Sequence, residues 1–270
     1  MRFAGLRRAA GAAAVVLALT ASAPALAAEG PGHPEAAAAS ASSPMAAVRS
    51  EKDPFESWNR SVFSFNESVD KAVLKPLAQA YTDVLPEYVR TLISNVIGNV
   101  ADAWSMVNHL LQGKIESTLQ MGMRVSINSV LGFGGLLDIG TEIGLERQSE
   151  DFGQTLGRWG VPPGPYVMLP VLGPSTVRDT GGLVLDLQAT PASLINDTTA
   201  TVVGVTVLQA VSTRAGLLGA SRVLDDIALD KYSFLRDAYL ARRQNQVYDG
   251  NPPEAPEDEE EDQKQDSPAK

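Results

Sequence analysis

The sequence predicts an all-α fold, and three observations predict it. Apolar residues recur at the helical period in several separate stretches, glycine and proline punctuate the gaps between them, and no stretch alternates cleanly as a strand would. With 270 residues and 44% apolar content, the chain can bury one sizeable core, so a single domain is expected.

Asp53-Pro54-Phe55-Glu56 reads as a helix start. Asp53 can cap, Pro54 suits the first helical position, and Glu56 can reach back as a capping-box acid, an arrangement worth about 1 kcal/mol. Trp58, Val62, Phe65, Val69 and Val73 continue the helical period, and Lys75-Pro76 is expected to end or kink the helix. A second helix should begin near Pro86, with Ile93, Val96, Ile97, Val100, Trp104, Val107 and Leu111 on its apolar face. Asn95, Asn99, Asp102 and His109 form a polar stripe on it, and Gly113 is a plausible stop. A third helix, about Glu116 to Leu131, is expected to turn Leu119, Met123, Ile127 and Val130 inward, with Gln120, Arg124 and Asn128 on another face. Gly132-Phe133-Gly134-Gly135 breaks it. From Thr180 to Leu218 the residues alone leave helix or strand open, because Val202, Val203, Val205 and Val207 are β-branched. A last helix, near Asp230 to Val247, carries Tyr232, Leu235 and Tyr239 beside the basic set Lys231, Arg236, Arg242 and Arg243.

The ends read differently. Residues 1–27 have the layout of a secretory signal: Arg7 and Arg8, a short apolar core from Ala9 to Leu19, and Ala25-Leu26-Ala27 before the cut. That core is shorter than the roughly 20 residues a membrane span needs, and no later segment supplies one, so the mature protein is expected to be exported without a transmembrane helix. Residues 28–52 are small, proline-containing and low in complexity, and read as a flexible tether. Residues 53–249 form the domain. Residues 250–270 form an acidic tail expected to be disordered.

Composition removes whole classes of chemistry. Cysteine is absent, which excludes disulfides, thiolate metal sites and cysteine nucleophiles. The two histidines are His33, in the tether, and His109, in the second helix, so a zinc site has almost no ligands and no metal or cofactor is expected. A histidine base would have to be His109, and the bland reading, a half-buried polar residue without chemistry, suits it better. The Gly132–Gly135 run lacks the third glycine of a dinucleotide fingerprint and follows a helix instead of a strand. Net charge is -10 and no basic face is evident, so nucleic acid is not an expected partner. The acidic pairs Glu150-Asp151 and Asp225-Asp226 point in different directions along a helix and suit capping better than paired acid–base work.

Two patterns keep a functional and a structural reading side by side. Asn59, Asn66, Asn95, Asn99, Asn108 and Asn128 sit inside amphipathic helices, although asparagine is a poor helix former. They either hydrogen-bond between helices or line a polar path for a lipid headgroup, with Arg124 and Arg178 able to meet its phosphate. For Arg178, pairing with Asp179 is the plainer account. The wide apolar faces of several helices either pack a core or lie in a membrane interface.

Between Glu150 and Asp179 the chain reads EDFGQTLGRWGVPPGPYVMLPVLGPSTVRD. It is too apolar for a solvent linker and carries no nucleophile–base pair. Five prolines fix φ and the glycines allow unusual turns, so its value is shape. This run resembles the central signature of the MlaA (VacJ) family in Asp151-Phe152-Gly153-Gln154-Thr155-Leu156-Gly157, Trp159-Gly160-Val161, Gly164-Pro165-Tyr166, Leu169-Pro170, Leu172-Gly173-Pro174-Ser175 and Arg178-Asp179. Further matches run from Asp53-Pro54 through Asn59-Arg60, Phe65-Asn66, Leu111-Gln112-Gly113 and Asn128 to Arg236-Asp237-Ala238-Tyr239. The resemblance implies a ring of amphipathic helices with a central channel, and helix for the undecided valine-rich stretch. It implies a role in intermembrane phospholipid transport: removing mislocalised phospholipid from the outer leaflet of the outer membrane and passing it to a periplasmic carrier, beside a porin trimer. Channel or gate residues would then be Asn66, Asn99, Asn108, Arg124, Asn128, Trp159, Gly160, Gly164, Pro165, Tyr166 and Arg178. Members of the family are typically lipidated on an N-terminal cysteine, and these residues include none. The alternative is therefore a soluble periplasmic lipid-binding module, and an enzyme such as a lipid hydrolase is a third class.

Overall fold

The computed structural model describes residues 53–194 and 199–253. The expected signal peptide, the tether and the tail beyond Pro253 lie outside the described residues. Helix α1 spans Glu56–Val69 and is followed by a π turn at Asp70–Leu74 and helix α2 at Lys75–Val84. The N-terminal cap differs from expectation. Phe55 occupies the cap position without a side-chain bond, because Asp53 is drawn inward: its carboxylate accepts from Asn59 Nδ2 at 2.8 Å and from the Tyr232 hydroxyl. Glu56 pairs with Arg60 instead of reaching back to the cap. Pro76 does not end the rod. The Lys75 N–H donates to Asp70 O, five residues back, and this widened turn carries the chain past the proline, which has no N–H of its own.

Helix α3, Glu87–Leu111, is about 37 Å long at 1.5 Å per residue. Pro86 starts it, and Gly113, with φ +77°, closes it. Helix α4, Ile115–Val130, returns antiparallel along it, since Asn99 reaches Ser129 and Asp102 reaches Arg124. A glycine loop leads to the short helix α5, Ile139–Glu142, capped by Asp138. In that loop Gly135 has φ +90°, and a Cβ there would stand 2.7 Å from Asn99 Cβ. Asp151 caps α6, Phe152–Arg158, by accepting from Gln154 N.

One short antiparallel hairpin interrupts the otherwise helical fold: β1, Tyr166–Leu169, pairs with β2, Gly173–Thr176, in the register Tyr166↔Thr176 to Leu169↔Gly173. It occupies the glycine–proline run. Thr176 caps α7, Val177–Asp186, and a 3-10 turn leads to α8, Pro191–Leu194. The valine-rich stretch is helical, as α9, Thr199–Gly216, and α10, Leu218–Ile227, follows it. Asp230 caps α11, Lys231–Val247, through the Tyr232 and Ser233 N–H groups.

The apolar core is small and local. Val62, Tyr166, Met168 and Tyr232 are buried together, with Phe63, Leu235, Tyr239 and Leu240 packed against them. Tyr166 and Tyr232 meet edge to face, 6.3 Å between centroids.

Candidate functional site

The α3/α4 pair is built inside out. On α4 three of the four expected inward residues face outward, Leu119 at 63% exposed, Met123 exposed and Val130 at 76% exposed, while Ile127 is partly buried. Met121, Arg124 and Asn128 turn inward instead. On α3 the fully buried residues are Asn99, Asp102, Ser105, Asn108 and His109, whereas Leu110 and Leu111 are exposed. Both stripes have helical spacing. The polar stripe is buried where its partners are, because Arg124 finds Asp102 and Asp138 inside and a buried charge requires such partners.

Arg124 is 0% exposed and its guanidinium is fully used. Nε donates to Asp102 at 2.9 Å, Nη1 to Thr141 Oγ1 at 3.0 Å and Leu145 O at 2.6 Å, and Nη2 to both oxygens of Asp138 at 2.6 and 2.5 Å. Asn128 donates to Asp138 at 3.0 Å and accepts from Gly140 N at 2.8 Å. Gly140 must be bare, because a Cβ would stand 2.9 Å from Arg124 Cγ. Arg147 adds a second cation to Asp102 at 2.9 Å. Burial works against the charge on Asp138, but hydrogen bonds from Thr141, Asn128 and Arg124 outweigh it and hold its pKa down at about 2. No N–H of Arg124 is left for a phosphate.

The other amides are also engaged, although the buried Oδ1 of Asn99 has no partner among the described residues. Asn99 donates to Ser129 at 3.0 Å, and Asn108 accepts from Thr155 Oγ1 at 2.8 Å. On α1, Asn59 and Asn66 behave as pieces of backbone. Asn59 donates to Tyr166 O and accepts from Met168 N; two turns on, Asn66 donates to Leu169 O at 2.9 Å and accepts from Val171 N at 2.7 Å. Each amide thus pairs with the hairpin as a neighbouring strand would, which explains why asparagine is tolerated there. His109 Nε2 lies 3.2 Å from Gln148 O, and Asp102 is committed to two arginines, so no His–Asp dyad forms between them.

The glycine–proline run divides in two. Trp159 is exposed and donates from Nε1 to Leu111 O at 3.0 Å, while Gly160 at φ +90° and Gly164 at φ +65° make the turns that lead to the hairpin. The Pro165 carbonyl accepts from Val177 N at 3.1 Å. Tyr166, expected with this segment as part of a gate, is 1% exposed and belongs to the core, because its ring fills the space beside Tyr232 and Tyr239. Arg178 pairs with Asp179 at 2.9 Å, and Asp179 is shared with Arg243, which also takes Asp151. Burial again opposes the charge on Asp151, and the hydrogen bond from Arg243 wins and lowers its pKa.

A groove opens between α1, the π turn, α10 and α11. Its polar mouth has a volume of about 540 Å³ and includes Arg60, Asp230 and Tyr232. A more apolar inner part of about 240 Å³ adds Met168, Leu217, Leu224 and Leu235. Phe63, Glu67, Lys71 and Lys231 line both. Of the expected site residues, Asn66 lines this groove. Asn99, Asn108, Arg124 and Asn128 lie at the α3/α4 interface and its neighbours, and Trp159 to Tyr166 and Arg178 lie beside α6 and α7. The residues missed are Lys71, Lys75, Arg214 and Asp225. A partial signal existed in the i, i+4 spacing of Glu67, Lys71 and Lys75.

Among the described residues no single helix is long and apolar enough to cross a membrane; α9 with α10 passes together but is bent by 50°.

The model of the family described as "MlaA lipoprotein" matches residues 51–246. The intermembrane phospholipid transport system lipoprotein MlaA of Escherichia coli (strain K12) is 36% identical over 194 residues, covering 70% of this chain and 76% of that one. Its namesake in Haemophilus influenzae is 31% identical over 216 residues, covering 75% and 82%. A solved structure, described as the structural basis for maintenance of bacterial outer membrane lipid asymmetry, aligns with a TM-score of 0.63 at 36% identity. It covers 74% of this chain and 99% of that one.

Proposed function

This chain belongs to the MlaA family, and on that premise we propose that it works in intermembrane phospholipid transport, keeping the outer membrane asymmetric by removing mislocalised phospholipid from its outer leaflet. The observation that carries this reading is the inverted α3/α4 pair. An apolar exterior and a polar, hydrogen-bonded interior suit a body whose surroundings are hydrocarbon. Lipid moves by shelter alone: a headgroup is costly in hydrocarbon and an acyl chain in water, at about 0.8 kcal/mol per methylene. No covalent step is needed.

The exposed leucines, valines and Phe133 hold the protein at the periplasmic face of the outer membrane. Asn66 lines the lipid path, and Trp159, Gly160, Gly164 and Pro165 form a gate beside the hairpin. Asn108, Arg124 and Asn128 brace the wall, because their polar groups are already engaged, and Asn99 braces it through its bond to Ser129. Partners are an outer-membrane porin trimer and a soluble periplasmic lipid carrier.

The test is deletion and complementation. Loss of the protein should raise phospholipid in the outer leaflet, read by its exposure to external phospholipase. Wild type should restore the low level, and Gly160→Ala with Gly164→Ala should restore it incompletely. An unchanged outer leaflet on deletion defeats the reading. The lack of cysteine favours one other reading, a soluble periplasmic lipid-binding module; release from membranes by high salt without detergent would select it.

A further inference from the structure

Every cation lining the groove has a carboxylate partner within ion-pair distance except one. Arg60 pairs with Asp230 at 2.7 Å, Lys71 with Glu67 at 3.0 Å, Arg214 with Asp70 at 2.6 Å and Lys231 with Asp225 at 2.5 Å. Lys75 lines the inner part, is half-buried, and has no hydrogen bond or ion pair among the described residues. Its charge is nevertheless felt across the groove. The Asp225 carboxyl is drawn below the ordinary range, first by the hydrogen bond from Lys231 and then by the charges of Lys231, Lys75 and Lys71. Of these five cations Lys75 alone has no carboxylate within ion-pair distance, whereas Arg60 has a second one, Glu56, at 2.7 Å.

We propose that Lys75 receives the phosphodiester of a glycerophospholipid, whose acyl chain lies along Met168, Leu217, Leu224 and Leu235. This rests on the transport reading above and names its headgroup contact. A phosphodiester carries a single negative charge, and Lys75 is the one lining cation without a carboxylate at ion-pair distance. The Lys75 ammonium has three N–H donors that no described protein group takes, and phosphate oxygens can accept them. The other cations stay with their carboxylates, so the site needs no rearrangement to accept one phosphate. The π turn at Asp70–Leu74 sets this geometry. By inserting one residue into the turn it rotates Lys75 relative to the α1 register, away from the Glu67–Lys71 ladder and toward α9 and α10.

The experiment uses the full chain in detergent micelles and a fluorescent short-chain phosphatidylethanolamine as probe. Lys75→Gln should weaken binding about ten-fold, the loss of one charge-assisted contact, and Lys75→Arg should bind within about two-fold of wild type. Thermal unfolding reports that both variants fold, since the ammonium touches no protein partner. Glycerophosphodiester without acyl chains and inorganic phosphate serve as competitors and should displace the probe only weakly. Wild-type affinity in Lys75→Gln overturns the assignment while leaving the transport reading intact. Displacement by inorganic phosphate at the concentration at which unlabelled lipid displaces the probe overturns the lipid as ligand. Failure of the wild-type chain to bind the probe at all overturns the transport reading itself.

Discussion

The α3/α4 pair and the hairpin core solve the same problem with opposite materials. Around the hairpin, Val62, Tyr166, Met168 and Tyr232 are buried in the usual way, apolar inside. Between α3 and α4 the buried residues include Asp102, Arg124 and Asn128, and Leu110, Leu111, Leu119 and Val130 face out. An apolar core tolerates imprecision, because dispersion and hydrophobic burial have no direction. A buried ion network tolerates none, because each lost partner strands a charge. The half of the molecule whose outside must be greasy therefore holds itself together with directional bonds.

The sharpest way to break that contrast is Arg124→Met. It removes the cation that bonds Asp138 directly, leaving Arg147 at 3.9 Å, and one of the two cations on the buried Asp102. Stability should fall by about 3–5 kcal/mol, measured by denaturant unfolding in detergent. A loss under about 1 kcal/mol would mean that the network is ornamental.

The comparison sharpens with a pair of substitutions on its two sides. Met168→Ala, in the apolar core, should cost about 2–4 kcal/mol. Leu119→Ser, on the exterior of α4, should change stability by no more than about 0.5 kcal/mol yet weaken binding to phospholipid vesicles, and Val130→Ser should behave likewise. Equal stability losses at Leu119 and Met168 would show that the exterior of α4 is buried in the folded protein after all.

The same contrast explains what the sequence could reveal. The bounds of α3, α4 and α11 were legible because Pro86, Gly113 and Asp230 are local signals. The facing of α4 was not. Periodicity says that Leu119, Met123 and Val130 share one side and Arg124 and Asn128 another, but not which side meets the protein. Only Asp102, 22 residues away, and Asp138, on the glycine loop, turn Arg124 inward. Asp53 looked like a cap for the same reason: its true partners include Tyr232, 179 residues on. Asn59 and Asn66 were rightly marked as odd inside a helix, but their function as partners for the hairpin backbone depends on a pairing more than 100 residues away. The groove was the least legible part, since Lys75, Arg214 and Lys231 meet only once α9 and α11 return to α1.

The smallest effect is in the pH dependence. Asp138 has its pKa held at about 2, below the ordinary carboxylate value of 3.8. A depressed folded pKa stabilises the fold at every pH above the unfolded value, and that contribution is lost as pH falls from about 4 toward 2. Solvent screening of this partly exposed carboxylate reduces what the shift is worth to about 1 kcal/mol or less. Unfolding free energies measured between pH 5 and pH 2.5 should therefore decline, and part of that slope should vanish in Asp138→Asn. The hairpin core borders a second arginine-held carboxylate, Asp179, which accepts from the Tyr239 hydroxyl and from Arg243, so a conformational probe on Tyr166 and a probe on α4 report different carboxylates. Simultaneous loss of both signals in wild type, with the slope unchanged in Asp138→Asn, would place the acid-sensitive step elsewhere, with Asp151 and its partner Arg243 the next carboxylate to substitute.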